Sequence, residues 1–152
     1  MFKRFISPVF CLSALGALFF SVSSHAGKED FTQKIEIASS NQSGDGIAKK
    51  SRFWGSVIIR QGSLVVEADE VEVDASLGKD KEIFIAIGSP AQYSQQQQDG
   101  STVSATANRI EYRRETRALS LDGNAEIQQN NSSVKGESIL FNMQLEQIIA
   151  QG

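Results

Sequence analysis

The sequence predicts an all-β protein in which two facing sheets are built from repeated antiparallel hairpins. Three observations support this fold class. Apolar and polar residues alternate with a period of two along almost every segment after residue 30, which is the pattern of half-buried strands. Residues that favour tight turns separate the alternating runs, and two short motifs recur along the chain. Beyond residue 30, no long apolar stripe has the spacing of a helix.

The predicted strands follow one another as short alternating runs. In chain order the runs are Ile35 to Ile37, Phe53 to Ile59, Leu64 to Val66, Val71 to Val73, Ile83 to Ile87, Ile110 to Tyr112, Leu119 to Leu121 and Ile139 to Phe141. Hairpin loops are expected where turn residues cluster, at Gln61-Gly62, Leu77 to Asp80, Asp99-Gly100 and Asn130-Asn131. Pro90 follows a glycine, which indicates the start of a strand because proline cannot donate to a ladder.

Two motifs recur at intervals typical of stacked supersecondary units. The first is apolar-x-Gly, and its glycines are separated by 33, 35 and 29 residues, at Gly55, Gly88, Gly123 and Gly152. The second lies between successive glycines and joins a small residue to a polar or acidic one, as Ala68-Asp69, Ala107-Asn108 and Gly136-Glu137. Internal periods of this length indicate repeated units that stack edge to edge.

Each copy of the second motif interrupts its own alternation. The apolar residues Val66 and Ala68 have even numbers, whereas Val71 and Val73 have odd numbers, so a regular strand would point the two pairs to opposite faces. A slip of one residue would turn the apolar side chains to the wrong face unless the strand bulges or bends there. We therefore predict a corner at each copy, where the strand leaves one sheet for the opposing sheet.

The first 26 residues are typical of a cleaved secretion signal. They combine a basic start, an almost entirely apolar core over residues 5–20 and small residues at the end. Cleavage after residue 26 leaves one domain of 126 residues, 27–152. Cys11 and His25, the single cysteine and the single histidine, both fall in the segment expected to be removed.

The composition of the mature chain excludes several kinds of site. Without Cys or His it has no disulfide, thiolate nucleophile, Ser-His-Asp triad or zinc ligand of those types. It carries 13 Lys and Arg against 18 Asp and Glu, a net charge of −5 that is unfavourable for binding nucleic acid. The acidic segment 67–74 is expected to be a solvated outer face rather than a catalytic or calcium site. We expect no catalytic residue, no metal and no cofactor.

The apolar residues that alternation places on the inner faces of the two sheets have two interpretations. They can form a filled core, or an open-ended trough that shields an acyl chain, in which each buried methylene contributes roughly 0.8 kcal/mol. The unpaired strands at the ends of the stack also leave two alternatives. They can pair with identical copies and give a head-to-tail filament, or they can be protected by Lys28, Glu29 and the polar segment 38–51.

Five motifs span essentially the whole mature chain. They are Ile35-Glu-Ile37, Phe53 to Gly62, Val66 to Val71, Gly88 to Ala91 and Leu121-Asp-Gly123. In composition and order these motifs resemble the OstA-like family of periplasmic lipopolysaccharide-transport proteins. The resemblance implies an open, twisted β-jellyroll whose members associate end to end into a bridge from an inner-membrane transporter to an outer-membrane translocon. Lipid A acyl chains would travel in its apolar interior.

The resemblance also implies which side chains face the lipid. It places Ile35, Ile37, Tyr93 and Tyr112 on the lipid-facing surface. Strand parity adds eight further candidates: Phe53, Val57, Ile59, Val66, Val71, Leu121, Ile127 and Phe141. Arg114 departs from the family pattern, in which an apolar residue would point inward. Either it lies at the groove rim near sugar phosphates, or the local register differs.

Together these features predict a non-enzymatic periplasmic carrier that binds lipopolysaccharide as part of a bridge for outer-membrane assembly. The expected partners are lipopolysaccharide, the inner-membrane transporter, the outer-membrane translocon and further copies of the chain, but not nucleic acid. Three alternatives stay open: the membrane-anchored component of the same pathway, a structural β-repeat protein without ligand, and an extracellular glycan-binding or glycan-cleaving domain. The last would be expected to expose clustered aromatics, whereas Trp54 is the sole tryptophan.

Overall fold

The computed structural model describes residues 28–152, which form a short 3-10 helix followed by nine strands. The helix spans Lys28–Thr32, and the strands are β1 (Glu36–Ala38), β2 (Asn41–Asp45), β3 (Lys50–Gln61), β4 (Leu64–Asp74), β5 (Ile83–Gln96), β6 (Thr102–Arg113), β7 (Ala118–Gln129), β8 (Ser132–Asn142) and β9 (Gln147–Gln151). The all-β prediction is confirmed. Within this part of the chain, no helix has the length and apolarity needed to cross a membrane. The predicted signal peptide, with Cys11 and His25, lies outside the described residues.

The nine strands form one continuous antiparallel sheet with two open ends. Its order is β1-β3-β4-β5-β6-β7-β8-β9, and β2 also pairs with β3. Strands β3 to β9 follow each other as hairpins, because short turns join them and consecutive strands pair. The predicted turns at Leu77 to Asp80, Asp99-Gly100 and Asn130-Asn131 lie between strands, and the turn predicted at Gln61-Gly62 is shifted by one residue, because Gln61 ends β3 and the turn is Gly62-Ser63. The hairpin repeat predicted from the sequence is therefore present.

The strand register shifts near the middle of each long hairpin. Shifts fall between Trp54 and Val57, Glu67 and Glu70, Ile87 and Ala91, Thr106 and Arg109, and Asp122 and Ala125. These positions coincide with the predicted corners, because a bulge restores the inward direction of the apolar residues after each parity slip. The hydrogen bonding nevertheless continues around the corner, so the two facing layers are halves of one bent sheet.

We call the two halves of the bent sheet wing I and wing II. Wing I contains residues 36–38, 57–61, 64–68, 91–96, 102–107, 125–129 and 132–136. Wing II contains residues 41–45, 50–54, 70–74, 83–87, 109–113, 118–122, 138–142 and 147–151. The wings join along the line of corners. On the opposite side the hairpin turns of both wings form an edge that we call the mouth.

The glycine motif marks the corners of alternate strands. Gly55, Gly123 and Gly152 have positive φ angles of 82°, 84° and 90°, which L side chains rarely adopt. Each also lies against the neighbouring strand: a Cβ atom on Gly152 would come within 2.9 Å of the Glu137 Cβ. At Gly123 and Gly152 the nearest residue is the polar residue of the second motif, Asn108 or Glu137, whereas Gly55 lies against Ser40 and Asn41.

Four details of the sheet differ from the sequence prediction. Pro90 lies inside β5 at the corner, after a cis peptide bond, and not at a strand start. The polar segment around 41–45 forms strand β2, and 147–151 forms β9; neither was predicted as a strand. In β5, the inward side chains are Phe84 and Ala86, whereas Ile87 faces outward and is 46% exposed. Both parities of this strand are apolar, so alternation alone could not assign its faces.

Candidate functional site

The twelve candidate residues from the sequence all lie in the space between the wings. Nine of them are buried in one apolar cluster: Val57, Ile59, Val66, Val71, Tyr93, Tyr112, Leu121, Ile127 and Phe141. The other three, Ile35, Ile37 and Phe53, are half-buried and pack against that cluster from the end formed by β1 and β2. Corner bulges bring about this convergence, because they point the inward faces of both wings at each other.

Sequence parity missed several residues of the same interior. Leu64, Phe84, Ile110, Leu119 and Ile139 are each at most 5% exposed and belong to the cluster. Four of them lie two positions from a selected candidate on the same strand face, so the alternation signal was available for them. Phe84 carried no such signal, because its neighbours in β5 are isoleucines.

Side chains fill the interior where the wings meet. A cavity of about 10 Å³ has wholly apolar exposed walls and is lined by residues of both wings: Ile35, Ile59, Gln61, Leu64, Val66, Phe84, Ile110 and Tyr112. Phe84 and Tyr112 stack there with ring centroids 5.7 Å apart. A second cavity of about 30 Å³ lies nearer the mouth, between Gln95 of wing I and Met143 beside wing II. An acyl chain would therefore have to separate the wings to enter.

The contacts that cross between the wings are made by side chains. Among residues 28–152, the backbone hydrogen bonds outside the strand ladders join residues within the N-terminal segment, within one wing, within one turn or at a corner. Across the gap, the Tyr93 hydroxyl lies 3.5 Å from the sulfur of Met143. Since the ladders end at the hairpin turns, the wings can part at the mouth without breaking strand pairing.

The N-terminal 3-10 helix lies across part of the mouth as a strap. Asp30 is buried, and its carboxylate accepts hydrogen bonds from the backbone N–H and hydroxyl of Ser63 and from Nε2 of Gln95, at 3.0 Å for the last. These partners belong to wing I. The Phe31 ring instead contacts Arg117, which belongs to a wing II turn. The Cζ atom of Arg117 lies 4.5 Å from the centroid of the Phe31 ring. We call the hairpin turns of each wing at the mouth its rim. The strap thus connects the wing I rim with the wing II rim.

A buried polar chain continues from the strap into the apolar interior. The Tyr93 hydroxyl donates a 2.5 Å hydrogen bond to Oε1 of Gln95, whose amide group in turn donates to Asp30. Desolvation by burial, with smaller contributions from Tyr112 and Asp30, raises the pKa of Tyr93 well above its ordinary value. The hydroxyl therefore remains a neutral donor at physiological pH.

Tyr112 is likewise buried in the interior, but its hydroxyl differs in its hydrogen bonding. Its hydroxyl is buried and unpaired among residues 28–152. Burial raises the pKa of Tyr112 to about 12, although the positive charges of Arg114 and Arg117 oppose the shift. Tyr112 therefore offers an unused donor between the apolar cavity and the wing II rim.

The wing II rim beside Tyr112 is an open, charged cleft of about 550 Å³. It is lined by Phe31, Thr32, Lys79, Asp80, Lys81, Tyr112, Arg114, Glu115 and Arg117. Arg114, which departed from the family pattern, lies in the turn after β6 at this rim. Its guanidinium pairs with Asp80 at 3.2 Å and with Glu82 at 3.1 Å. Its charge is therefore largely compensated within the protein.

The acidic segment 67–74 is engaged in ordinary surface contacts. Glu70 accepts a 2.5 Å hydrogen bond from Nε of Arg52, and Glu72 lies 3.7 Å from Nζ of Lys50. The Arg52 guanidinium, first through this hydrogen bond, lowers the pKa of Glu70. No group of three or more His, Cys, Asp and Glu residues suited to a metal ion occurs among the side chains of residues 30–152.

Sequence comparison places this bent sheet among known proteins. Residues 36–147 match the family described as "LptA/(LptD N-terminal domain) LPS transport protein". The chain belongs to this family. The matched span begins with β1 and ends at the first residue of β9, so the family signature coincides with the folded sheet.

Relatives in the same family share about a third of their residues with this chain. The lipopolysaccharide export system protein LptA of Haemophilus influenzae is 35% identical over 134 residues, covering 87% of this chain and 78% of the relative. LptA of Escherichia coli K12 is 34% identical over 140 residues, covering 91% and 74%. The resemblance to a lipopolysaccharide-transport family is therefore confirmed.

A solved structure shares the fold. LptH of Pseudomonas aeruginosa, described as the LptA-homologous periplasmic component of the lipopolysaccharide transport device, superposes with a TM-score of 0.75 at 24% identity. The match covers 80% of this chain and 84% of the LptH chain. The bent sheet formed by wings I and II is thus a fold that this chain shares with LptH.

Proposed function

We propose that this protein carries lipopolysaccharide by holding its acyl chains between the two wings. Membership of a lipopolysaccharide-transport family supports this role. The observation that carries it is the single apolar cluster between the wings of a sheet whose two ends are unpaired. Each acyl methylene transferred from water into this interior contributes roughly 0.8 kcal/mol without requiring directional contacts.

Loading would require the wings to hinge about their corners. Entry of a chain replaces side-chain packing with chain-to-wall packing of the same apolar kind, so much of the lost contact is regained. The polar contacts to be displaced are those of the strap and of Tyr93 with Met143. A carrier of this kind needs no catalytic group, and the energy for directional movement would come from other components.

Photo-crosslinking tests the location of the lipid. A photoreactive residue at Ile37 or Leu121, both directed inward, should give lipopolysaccharide adducts in cells. The matched control is Ile87, an apolar side chain on the outer face of the same sheet. Adducts at Ile87 comparable to those at Leu121, or no adduct at either inward position, would contradict the proposal.

A locking experiment tests the hinge. Gln96 of wing I and Gln144 of the turn after β8 line one cavity from opposite sides of the mouth. Cysteines at both positions, joined by a short reducible thiol crosslinker, should prevent lipopolysaccharide uptake, and reduction should restore it. The control pair Gln96 and Gln98 lies on one side only and should leave uptake unchanged. Unimpaired uptake by the locked protein would exclude hinge opening.

We propose that identical copies also join end to end. One end of the sheet exposes β1 and β2, and the other exposes β9 and residues 132–136 of β8. Each end therefore presents unpaired strand edges on both wings, and pairing them would align successive interiors. The inner-membrane transporter and outer-membrane translocon would join the ends of such a bridge in the same manner.

Disulfide mapping tests the junction. Ser43 and Ile149 are central residues of β2 and β9, and both face outward. A Ser43→Cys protein mixed with an Ile149→Cys protein should form disulfide-linked dimers. Mixing Ser43→Cys with Ser120→Cys, which lies on the outer face of the central strand β7, should not. Equal dimer yields from both mixtures would contradict strand addition at the ends.

The proposed location is the periplasm, reached through the cleaved signal. The protein recovered from the envelope should begin at Gly27, which N-terminal sequencing can establish. An intact N-terminus would instead support the membrane-anchored component of the pathway.

A further inference from the structure

The wing II rim, where the charged cleft lies, differs from the wing I rim in the charges of its turns. The wing I turns contain Gly62-Ser63, residues 97–101 and Asn130-Asn131, with no Lys or Arg among them. The wing II turns carry Lys49, Lys79, Lys81, Arg114 and Arg117. The same wing II turns also carry Asp80, Glu82, Glu115 and Glu146, so five cations against four carboxylates leave a net charge of +1, whereas Asp99 gives the wing I turns a net charge of −1.

Two cations in this cleft are not neutralised by carboxylates. Arg114 pairs with Asp80 and Glu82, and Lys81 lies 3.9 Å from Glu115. Among the side chains of residues 30–152, no carboxylate lies within 4.0 Å of the Lys79 or Arg117 cation. Arg117 is also held in place, because its guanidinium stacks on the Phe31 ring while its backbone oxygen accepts a 2.9 Å bond from Met143 N–H.

Tyr112 supplies a second, independent feature of a binding site. It is only 5% exposed, and its hydroxyl has no hydrogen-bond partner in the described part of the chain, which is costly for a buried polar group. Its side chain lines both the cationic cleft and the apolar cavity containing Ile59 and Phe84. Because its pKa is raised to about 12, the hydroxyl stays protonated and can donate to an anion.

We propose that this cleft is a subsite for a phosphate group on the saccharide headgroup of the lipid, bound by Arg117, Lys79 and the Tyr112 hydroxyl. The inference rests on the proposed function and adds an orientation to it. With Tyr112 shared by cleft and cavity, a phosphorylated amphiphile can place its headgroup at the rim while an acyl chain enters the interior beside it. Arg114 then serves to position the two loops through Asp80 and Glu82.

Binding measurements with two forms of one lipid test the subsite. The full mature protein is titrated with lipopolysaccharide whose lipid phosphates are intact and with the same preparation after enzymatic dephosphorylation. The intact lipid should bind about tenfold more tightly, the magnitude expected for a charge-assisted contact. Inorganic phosphate, added separately as a competitor, distinguishes a site that accepts any phosphate from one that requires the attached lipid.

Three substitutions assign the contacts. Arg117→Gln should reduce the preference for the phosphorylated lipid to less than about twofold, and Tyr112→Phe should lower its affinity roughly fivefold. Neither should change the affinity for the dephosphorylated lipid, which a merely structural role would lower as well. The matched control is Arg113→Gln, because Arg113 faces the outer surface and pairs with Glu111 at 3.2 Å.

The outcomes separate the two proposals. A wild-type protein that binds neither lipid would contradict the proposed function. A wild-type protein that binds both lipids with equal affinity would overturn the phosphate subsite alone, and so would equal effects of Arg117→Gln and Arg113→Gln. Competition by inorganic phosphate at concentrations that leave the dephosphorylated lipid bound would support the subsite as a general phosphate site. If Arg117→Gln loses the preference for the phosphorylated lipid but inorganic phosphate does not compete, the result would support a subsite that recognises the phosphate only as part of the lipid.

Discussion

Gly123 packs directly on the side chain of Asn108, so that a Cβ atom at Gly123 would lie 2.7 Å from Nδ2. This contact joins the corner of β7 to the corner of β6. Gly123 also has a φ of 84°, a conformation that is unfavourable for other residues. The corner therefore depends on glycine for two reasons that can be separated experimentally.

Gly123→Ala should lower the free energy of unfolding by about 2 kcal/mol or more, because backbone strain and overpacking act together. Gly78→Ala, at a φ of 112° with nothing within 4 Å, should cost only about 1 kcal/mol from strain. Gly46→Ala has open space and no positive φ, and should change stability by less than about 0.5 kcal/mol. Denaturant unfolding measures all three. Equal losses at Gly123 and Gly78 would show that the Asn108 contact contributes nothing.

The same substitution at two buried tyrosines should have different effects. Tyr93→Phe removes the hydroxyl that donates to Gln95 and should cost about 1–2 kcal/mol. Tyr112→Phe removes a buried hydroxyl without a partner and should be neutral or stabilise the fold by up to about 1 kcal/mol. Thermal or denaturant unfolding compares the variants. A clear loss of stability in Tyr112→Phe would show that its hydroxyl is satisfied in solution.

Tyr112 also predicts a dependence on alkaline pH. Its folded pKa of about 12 exceeds the ordinary value of 10.0, so the stabilising effect of the neutral form is complete below pH 10. That contribution is lost as pH rises toward 12. Tyr112→Phe should therefore lose less stability than the wild type between pH 10 and 12. Parallel curves for the two proteins would contradict the assignment.

The acidic side of the pH profile should depend on aspartates that close turns. Asp45 accepts hydrogen bonds from the backbone of Ala48 and Ile47, and these bonds lower its pKa below 3.8. The hydroxyl and backbone of Ser76 likewise lower the pKa of Asp74. Such groups stabilise the fold fully above their ordinary pKa and progressively less as pH falls through their folded values. Stability should therefore decline below about pH 4, near the ordinary aspartate pKa.

Asn142 provides the reciprocal test of these turns. The Oδ1 atom of Asn142 accepts hydrogen bonds from the backbone N–H groups of Gln144 and Leu145, in the same arrangement as at Asp45. Unlike the Asp45 carboxylate, the Asn142 amide does not titrate. Asp45→Asn should flatten the slope of stability against pH below 4, and Asn142→Asp should steepen it. Urea unfolding at pH 3 to 6 measures both slopes. Unchanged slopes would show that the turn bonds do not persist in solution.

The strap should be released by one substitution. Asp30→Ala removes the acceptor used by Ser63 and Gln95 and should destabilise the protein by about 1–3 kcal/mol, because buried donors lose their partner. Limited proteolysis should show faster cleavage near residues 28–35. Asp69→Ala, at an exposed corner position, is the control and should change neither property. Unaltered protection in Asp30→Ala would exclude Asp30 as the fastening residue.

Local alternation was sufficient to predict much of this molecule. Period two follows directly from strand geometry, so Val57, Ile59 and Leu121 could be assigned to the interior without knowing their neighbours. The parity slips likewise predicted the corners, because a slip is tolerated only where a strand bends. The same reasoning could not assign the inner face of strand β5, because residues on both of its faces are apolar. Strand β2 is polar and exposed, and pairing with β3 rather than its composition makes it a strand.

The sequence by itself determined the fold class, most of the strands and turns, the corners and the family. Each follows from residues close together in the chain or from the order of short motifs. Only the tertiary structure decided which side chains meet along each side of the mouth. Asp30 fastens to Ser63 and Gln95, and Arg114 is neutralised by Asp80 and Glu82, more than thirty residues away along the chain. The physical reason is that electrostatic and packing contacts depend on distance in space, which the bend of the sheet sets and no local pattern records.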